Sequence, residues 1–150
     1  MGRALGIDFG TKRVGLALSD RSNMIASPYK TLNYLSEKDL ITQLEIIVTK
    51  NDIEILVLGL PINMKGKDTA QTIKVRNFKE ILSTLRIPIV YEDERLSSVS
   101  AINSLMLQNV KTGHNKPEID KTAAAIILQQ YLDKNSNWKI SIIKNHGSKQ

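Results

Sequence analysis

The chain has 150 residues, of which 41% are apolar, enough for one domain with a substantial core. It has no cysteine, which excludes disulfides and thiolate metal sites, and no run of about 18 apolar residues that would span a membrane. Lys and Arg number 21 against 15 Asp and Glu, a net charge of +6. This charge favours anionic partners such as nucleic acid, although a role in solubility alone explains it equally well. We expect a cytoplasmic protein.

The first half of the sequence predicts an antiparallel meander followed by a helix. Two short apolar runs, at residues 4–9 and 14–19, flank a glycine-containing turn and are typical of a hairpin. A third run at 27–32 contains Pro28, which favours an edge strand or a strand end. Apolar residues at helical spacing then predict an amphipathic helix over residues 37–50.

The second half alternates between strands and helices. Residues 54–60 are almost continuously apolar, which is typical of a parallel strand covered on both faces. A further strand is predicted at 88–92, and helices are predicted at about 69–85, 98–107 and 118–133. This order predicts an α/β fold in which helices cover both faces of a mixed five-stranded sheet, an antiparallel meander joined by parallel strands.

One domain is predicted over residues 1–135. Residues 136–150 are polar and basic and are predicted to form a mobile tail. Within this tail, the segment that begins at Trp138 either forms a late strand or docks on the body of the domain.

Asp8 is an unusual residue for a strand that is otherwise suited to a core. Strand alternation places it on one face with Ala4 and Gly6, whose small size leaves room around the carboxylate. A carboxylate in a covered sheet is costly unless it is paired, hydrogen-bonded or bound to a metal ion. The alternative is that Asp8 caps the turn that follows it.

Two other places in the chain carry acids that suit a shared site. The last predicted strand runs into Glu92, Asp93 and Glu94, and α/β sheets hold their sites at the carboxyl ends of parallel strands. The alternative for these three acids is a solvated charge cluster that leads into a helix.

The third place in the chain is Asp120, which shares a small apolar helix face with Ala123, Ala124 and Ile127. Such a face can press close to the sheet and carry Asp120 with it. The alternative is that Asp120 only interacts favourably with the helix dipole. The three groups of acids can converge above one edge of the sheet.

Four stretches, in this order, resemble the YqgF family, also called RuvX: GIDFGTKRVGLALSD, LVLGLPINMKG, EDERLSSVSA and IDKTAAAIIL. The resemblance covers about residues 4–132. It implies an RNase H-like fold related to RuvC resolvases. It also implies a nuclease that finishes the 5′ end of pre-16S rRNA in ribosome biogenesis or, alternatively, a Holliday junction resolvase. Ser98 departs from the family's usual Thr, and Lys121 after Asp120 has no interpretation.

The resemblance implies that Asp8, Glu94 and Asp120 form both the catalytic set and the metal-ligand set. Enzymes of this fold cleave phosphodiesters with two divalent ions, and Mg²⁺ or Mn²⁺ suits carboxylate oxygens. Asp8 is expected to bridge the two ions. Asp93 remains an alternative to Glu94.

Cations are needed around an acidic site that receives a polyanion. The residues expected to hold nucleic-acid phosphates are Lys12, Arg13, Lys65, Lys67, Arg95, Lys111 and Lys116. For those nearest the acids, the alternative is that they only balance the carboxylates.

Two other functional classes remain open. The stretch GIDFGT also resembles the first phosphate loop of actin-like ATPases, although 150 residues leave no room for the second lobe of such proteins. The second class is a module that binds RNA without cutting it. The sequence leaves open whether the substrate is RNA or branched DNA, and whether the protein is a monomer or a homodimer.

Overall fold

The computed structural model describes residues 2–95 and 116–147, with the side chains of its last helix described for residues 117–135. The strands are β1 (Arg3–Phe9), β2 (Arg13–Ser19), β3 (Ala26–Asn33), β4 (Ile53–Leu60) and β5 (Ile89–Asp93). The helices are α1 (Glu37–Lys50), α2 (Ala70–Leu82) and α3 (Lys116–Gly147), and a 3-10 turn (Ser83–Leu85) follows α2.

The five strands form one mixed sheet in the order β3-β2-β1-β4-β5. β1 lies at its centre, antiparallel to β2 and parallel to β4. β3 extends the antiparallel side and β5 the parallel side. The predicted meander and the predicted parallel strands are therefore confirmed, and the carboxyl ends of β1, β4 and β5 meet at one edge.

One face of the sheet carries the larger core, beneath α1 and α2. Leu5 and Ile7 of β1 are fully buried there. The helices contribute buried apolar side chains that include Leu40, Leu44, Val75 and Phe78. Burial of each such side chain stabilises the fold by about 1.5 to 3 kcal/mol. Phe78 also stacks on Phe9 with a ring-centroid distance of 4.1 Å, which fixes the end of β1.

The other face is covered by α3 alone among the described elements, and several of the residues in contact there are small. Ala4 and Ala17 of the sheet pack against Ala123 and Ala124 of the helix. At Gly15 the helix comes so close that an added Cβ would collide with the backbone carbonyl of Asp120. The small residues therefore bring the first turns of α3 down onto the sheet.

The last helix is longer than predicted. It continues to Gly147, so the backbone around Trp138 is helical, and the prediction of a late strand there is wrong. That α3 reaches beyond residue 135 does not test whether residues 136–150 are mobile, and this stays a prediction. The helix predicted at 98–107 lies outside the described residues. No helix in the described part of the chain is long and apolar enough to cross a membrane.

Candidate active site

Asp8 lies near the carboxyl end of β1, directly opposite Gly15 of β2. Residues directly opposite in a sheet share a face, so Asp8 lies on the α3 side. It keeps partial solvent access. Burial, and then the negative charge of Asp120, raise the pKa of Asp8 from 3.8 to about 7.

This shift argues against Asp8 as a turn cap. Hydrogen bonds donated to a capping carboxylate would lower its pKa. The turn after β1 is closed instead by the backbone, because the N–H of Gly10 donates to the carbonyl of Arg13 at 2.9 Å. The carboxylate of Asp8 is thus held in a crowded and negatively charged place, which is typical of a functional site.

Glu94 follows the end of β5, and its backbone N–H donates to the carbonyl of Leu60 at 3.3 Å. Gly59 leaves the space that its side chain uses, since a Cβ there would collide with the Glu94 carboxylate and with Ile127. Burial, then the charges of Asp8 and Asp93, raise the pKa of Glu94 from 4.5 to about 8. Asp8 and Glu94 are therefore close enough to repel each other.

The two acids before Glu94 have other partners. Asp93 accepts hydrogen bonds from the backbone N–H and the Nε of Arg95, both at 2.8 Å, and Arg95 lowers the pKa of this carboxyl. Glu92 is buried, and its carboxylate binds Gln130 and the Nζ of Lys134, the latter at 2.6 Å. Glu94, in contrast, lies close enough to Asp8 for the charge of Asp8 to raise its pKa.

Asp120 lies in the first turns of α3 and is only 7% exposed. Its Oδ2 accepts a hydrogen bond of 2.6 Å from the Nε of Arg13, at the start of β2. The hydroxyl of Thr31 donates to the carbonyl of Pro117 at 2.6 Å, which ties this end of the helix to β3. Asp120 is thus placed beside Asp8, but its carboxylate is engaged by a cation.

The described residues contain no group of three His, Cys, Asp or Glu side chains arranged to hold a metal ion. Asp8 and Glu94 nevertheless fit a hard divalent ion, because they offer carboxylate oxygens and because burial, and then neighbouring negative charge, raise their pKa values, a cost that a bound cation would offset. The Oδ2 of Asp120 is bound to Arg13, so a metal ion that takes this oxygen competes with the ion pair. When bound, Mg²⁺ or Mn²⁺ would stabilise the charge that develops during phosphodiester hydrolysis.

Several predicted phosphate-binding residues border this site. Lys12 is exposed in the turn between β1 and β2. Lys65 and Lys67 are exposed in the loop after β4, where the Asn63 side chain accepts hydrogen bonds of 3.0 Å from both of their backbone N–H groups. Lys111 and the side chain of Lys116 lie outside the described residues.

The loop after β4 and Glu94 line the same open cleft, of about 400 Å³. Its walls are formed by Pro61, Ile62, Asn63, Met64, Thr69, Glu94 and Arg95. The guanidinium of Arg95 also lies close to Gly66 of the loop. A strand of nucleic acid lying in this cleft would pass directly beside Glu94.

Sequence reasoning missed two features of the site. The role of Gly59 as the space for Glu94 is visible only once β4 and β5 are paired. Gln71, in the first turn of α2, donates from its Nε2 to the carbonyl of Phe9 at 2.9 Å and so fixes the backbone next to Asp8. Nothing in the sequence around Gln71 indicates this contact.

The amino-acid sequence matches a known protein family. The RuvX family model, described as Holliday junction resolvase, matches residues 2–134. A Crocosphaera subtropica protein named "Putative pre-16S rRNA nuclease" is 44% identical over 131 residues, which cover 87% of this chain and 92% of that protein. A protein of the same name from Caldanaerobacter subterraneus is 43% identical over 137 residues, covering 90% of this chain and 99% of the other.

The fold is also similar to that of a solved resolvase. Thermus thermophilus RuvC in complex with a Holliday junction substrate superposes with a TM-score of 0.54 at 11% identity, covering 91% of this chain and 96% of that one. This likeness concerns the fold alone. The match over residues 2–134 and the identities above 40% decide the family. The chain belongs to the RuvX family and has the RNase H-like fold of RuvC-type resolvases.

Proposed function

We propose that this protein is a divalent-metal-dependent nuclease that hydrolyses phosphodiester bonds at the 5′ end of pre-16S rRNA. The observation that carries the proposal is that Asp8 and Glu94, two shielded carboxylates at one edge of the sheet, lie close enough for the charge of Asp8 to raise the pKa of Glu94. Such a pair is unfavourable without a cation and therefore suggests a metal-binding role. The substrate is taken from the names of the relatives at 43% and 44% identity.

In this proposal the side chains of the site have different roles. Asp8 and Glu94 hold the divalent ions, and Asp120 joins them. Lys65, Lys67 and other cations at the border bind the phosphates that flank the scissile bond. Gln71 and Gly59 act indirectly, since they fix the backbone and the space that the acids need.

Resolution of a Holliday junction is the second candidate, because it is the activity that the family description names. Both substrates are polyanions whose recognition rests largely on shape and phosphate charge. The two substrates differ in symmetry. A DNA junction has two-fold symmetry, and cutting it requires two active sites. A homodimer would therefore favour the junction, and a monomer would favour the RNA end.

The test compares two substrates with the same wild-type protein. One is an RNA fragment that spans the 5′ end of mature 16S rRNA with its precursor extension, and the other is a four-way DNA junction. With Mg²⁺ or Mn²⁺ we expect faster cleavage of the RNA, and no cleavage of either substrate in EDTA. Faster cleavage of the junction would support the second candidate. Binding without cleavage would support an RNA-binding module, and hydrolysis of ATP alone would support an actin-like ATPase.

A further inference from the structure

Arg13 and Asp120 form an ion pair inside the proposed site. The Nε–Oδ2 distance is 2.6 Å, and the side chains of Arg13 and Asp120 are only 22% and 10% exposed. The two residues were expected to have different roles, one at a nucleic-acid phosphate and one at a metal ion. While they bind each other, the Nε–H of Arg13 and the Oδ2 of Asp120 are occupied, and each charge lowers the attraction of the other residue for its expected partner.

The backbones on both sides of this pair are fixed. Arg13 follows a turn that is closed by its own carbonyl, and it lies two residues before Gly15 on the α3 face of β2. Asp120 is held against Gly15 by the close packing of α3. Any exchange of partners therefore has to occur by rotation of the two side chains, without movement of the sheet or the helix.

Electrostatic attraction favours an exchange of partners by the side chains of both Arg13 and Asp120. Asp8 lies directly opposite Gly15, and the backbone of Asp120 packs against that same glycine, so a divalent ion bound at Asp8 would attract Asp120. The guanidinium of Arg13 would then lose its carboxylate. Guanidinium groups bind phosphates in the same planar, two-pronged way as carboxylates, so an incoming phosphate is an equivalent partner.

We propose that the side chain of Arg13 has two alternative partners. In the metal-free protein it neutralises Asp120, and when a divalent ion binds Asp120 it moves to a substrate phosphate. The proposal rests on the proposed function, which it deepens. It makes Arg13 a link between metal binding and nucleic-acid binding, and such a coupling acts equally in both directions. In the metal-free protein, fewer carboxylates are therefore unpaired, and the affinity for nucleic-acid phosphates is lower.

The experiment measures how much a divalent ion strengthens RNA binding. Fluorescence anisotropy gives the Kd for the pre-16S 5′ fragment in EDTA and in Ca²⁺, and a gel verifies that the RNA stays intact. For the wild type we expect Ca²⁺ to tighten binding about five-fold or more, within the usual range of such couplings. For Arg13→Gln we expect this enhancement to fall below about two-fold. An undiminished enhancement in Arg13→Gln overturns the proposal.

Arg95→Gln is the matched control. Arg95 is also paired with a carboxylate, that of Asp93, and also borders the cleft. Its loss is expected to weaken RNA binding equally in EDTA and in Ca²⁺ and to leave the enhancement intact. An equal loss of enhancement in both variants shows a general charge effect and overturns the specific role of Arg13.

A second readout needs no RNA. Electron paramagnetic resonance of Mn²⁺ gives the metal affinity directly, and Arg13→Gln is expected to bind Mn²⁺ more tightly than the wild type because the competing cation is gone. Arg13→Lys keeps the charge and is measured in case Arg13→Gln does not fold. We expect Arg13→Lys to retain part of the enhancement. If RNA is cleaved normally while Arg13→Gln and Arg13→Lys both behave as the wild type, the exchange is wrong and the nuclease function stands.

Discussion

At the scale of single residues, the site is defined by carboxylates that the fold places in unfavourable surroundings. Burial and a neighbouring negative charge raise the pKa values of Asp8 and Glu94 to about 7 and about 8. Asp93, next to Glu94 in sequence, has its pKa lowered by Arg95. Adjacent acids thus have opposite effects on stability, and this difference can be measured.

The first prediction concerns Asp8→Asn in the metal-free protein. The folded pKa of Asp8 is about 7 and its ordinary value is 3.8. The folded state therefore holds the proton more tightly, and stability is lost as the pH rises from about 4 to about 7. We expect Asp8→Asn to raise the free energy of unfolding by roughly 1 to 3 kcal/mol at pH 8, since a tenfold change in proton affinity corresponds to about 1.4 kcal/mol. Near pH 4 the difference should be small.

Urea unfolding in EDTA at pH 4 and pH 8 measures this effect. Asp93→Asn is the control, and it should be less stable than the wild type at pH 8 because it loses its pairing with Arg95. A lower stability of Asp8→Asn than of the wild type at pH 8 would contradict the account of Asp8 as a strained carboxylate.

Sequence patterns single out Asp8 and Asp120 as candidates, whereas the choice of Glu94 over Asp93 comes from the family resemblance. Asp8 interrupts an apolar strand, and Asp120 lies on the same helix face as Ala123 and Ala124, both fully buried. The pairing of Arg13 with Asp120 was not predictable, because it joins residues 107 positions apart. Such contacts depend on how closely α3 approaches β2, and local sequence patterns do not report that distance.

At the scale of elements, the site depends on the close approach of α3 to the sheet. Gly15 and Gly59 provide the space, but they face different atoms. A Cβ at position 15 would meet the backbone of Asp120, which cannot move without the helix. A Cβ at position 59 would meet the ends of the Glu94 and Ile127 side chains, which can rotate away.

The second prediction compares Gly15→Ala with Gly59→Ala. Gly15→Ala should be the more destabilising, by about 1 to 3 kcal/mol or more, because overpacking against backbone forces α3 outward. Gly59→Ala should lose less stability but should lower the cleavage rate, since it displaces the carboxylate of Glu94. Denaturant unfolding and single-turnover cleavage of each variant measure the two effects. Wild-type cleavage by a folded Gly59→Ala protein would argue against a catalytic role for Glu94.

The third prediction concerns the loop after β4. Lys65→Ala with Lys67→Ala should weaken RNA binding and reduce the slope of log affinity against log salt by roughly 0.7 to 0.9 for each phosphate that the variant no longer binds. The control is Arg21→Ala with Lys50→Ala, an equal change of charge at the opposite end of the sheet. Arg21 there contacts only the exposed carboxylate of Asp52, at 3.7 Å, among the ion pairs that the structure describes. Equal slopes for the two double variants would place the phosphate path elsewhere.

At the scale of the whole molecule, topology explains why the acids meet. A central strand antiparallel to one neighbour and parallel to the other puts the ends of β1, β4 and β5 at one edge. The sequence was sufficient to predict the antiparallel meander and the two parallel strands, because hairpin signals and the β-α-β alternation are local, but it did not predict the order of the strands across the sheet. It was not sufficient to predict the end of the last helix, since a mixed polar and apolar segment such as that after residue 135 fits a strand, a tail or a helix.

The central claim is that Asp8 and Glu94 together hold the divalent ions that cleave nucleic acid. The most direct test is the single-turnover cleavage rate of the pre-16S 5′ fragment in saturating Mg²⁺, for the wild type, Asp8→Asn, Glu94→Gln and Asp93→Asn. We predict a loss of at least about a hundred-fold for Asp8→Asn and Glu94→Gln, because each removes a metal ligand and not a surface charge. Asp93→Asn should stay within about ten-fold of the wild type, by the same reasoning about ligands. Full metal-dependent cleavage by a folded Asp8→Asn protein would contradict the account.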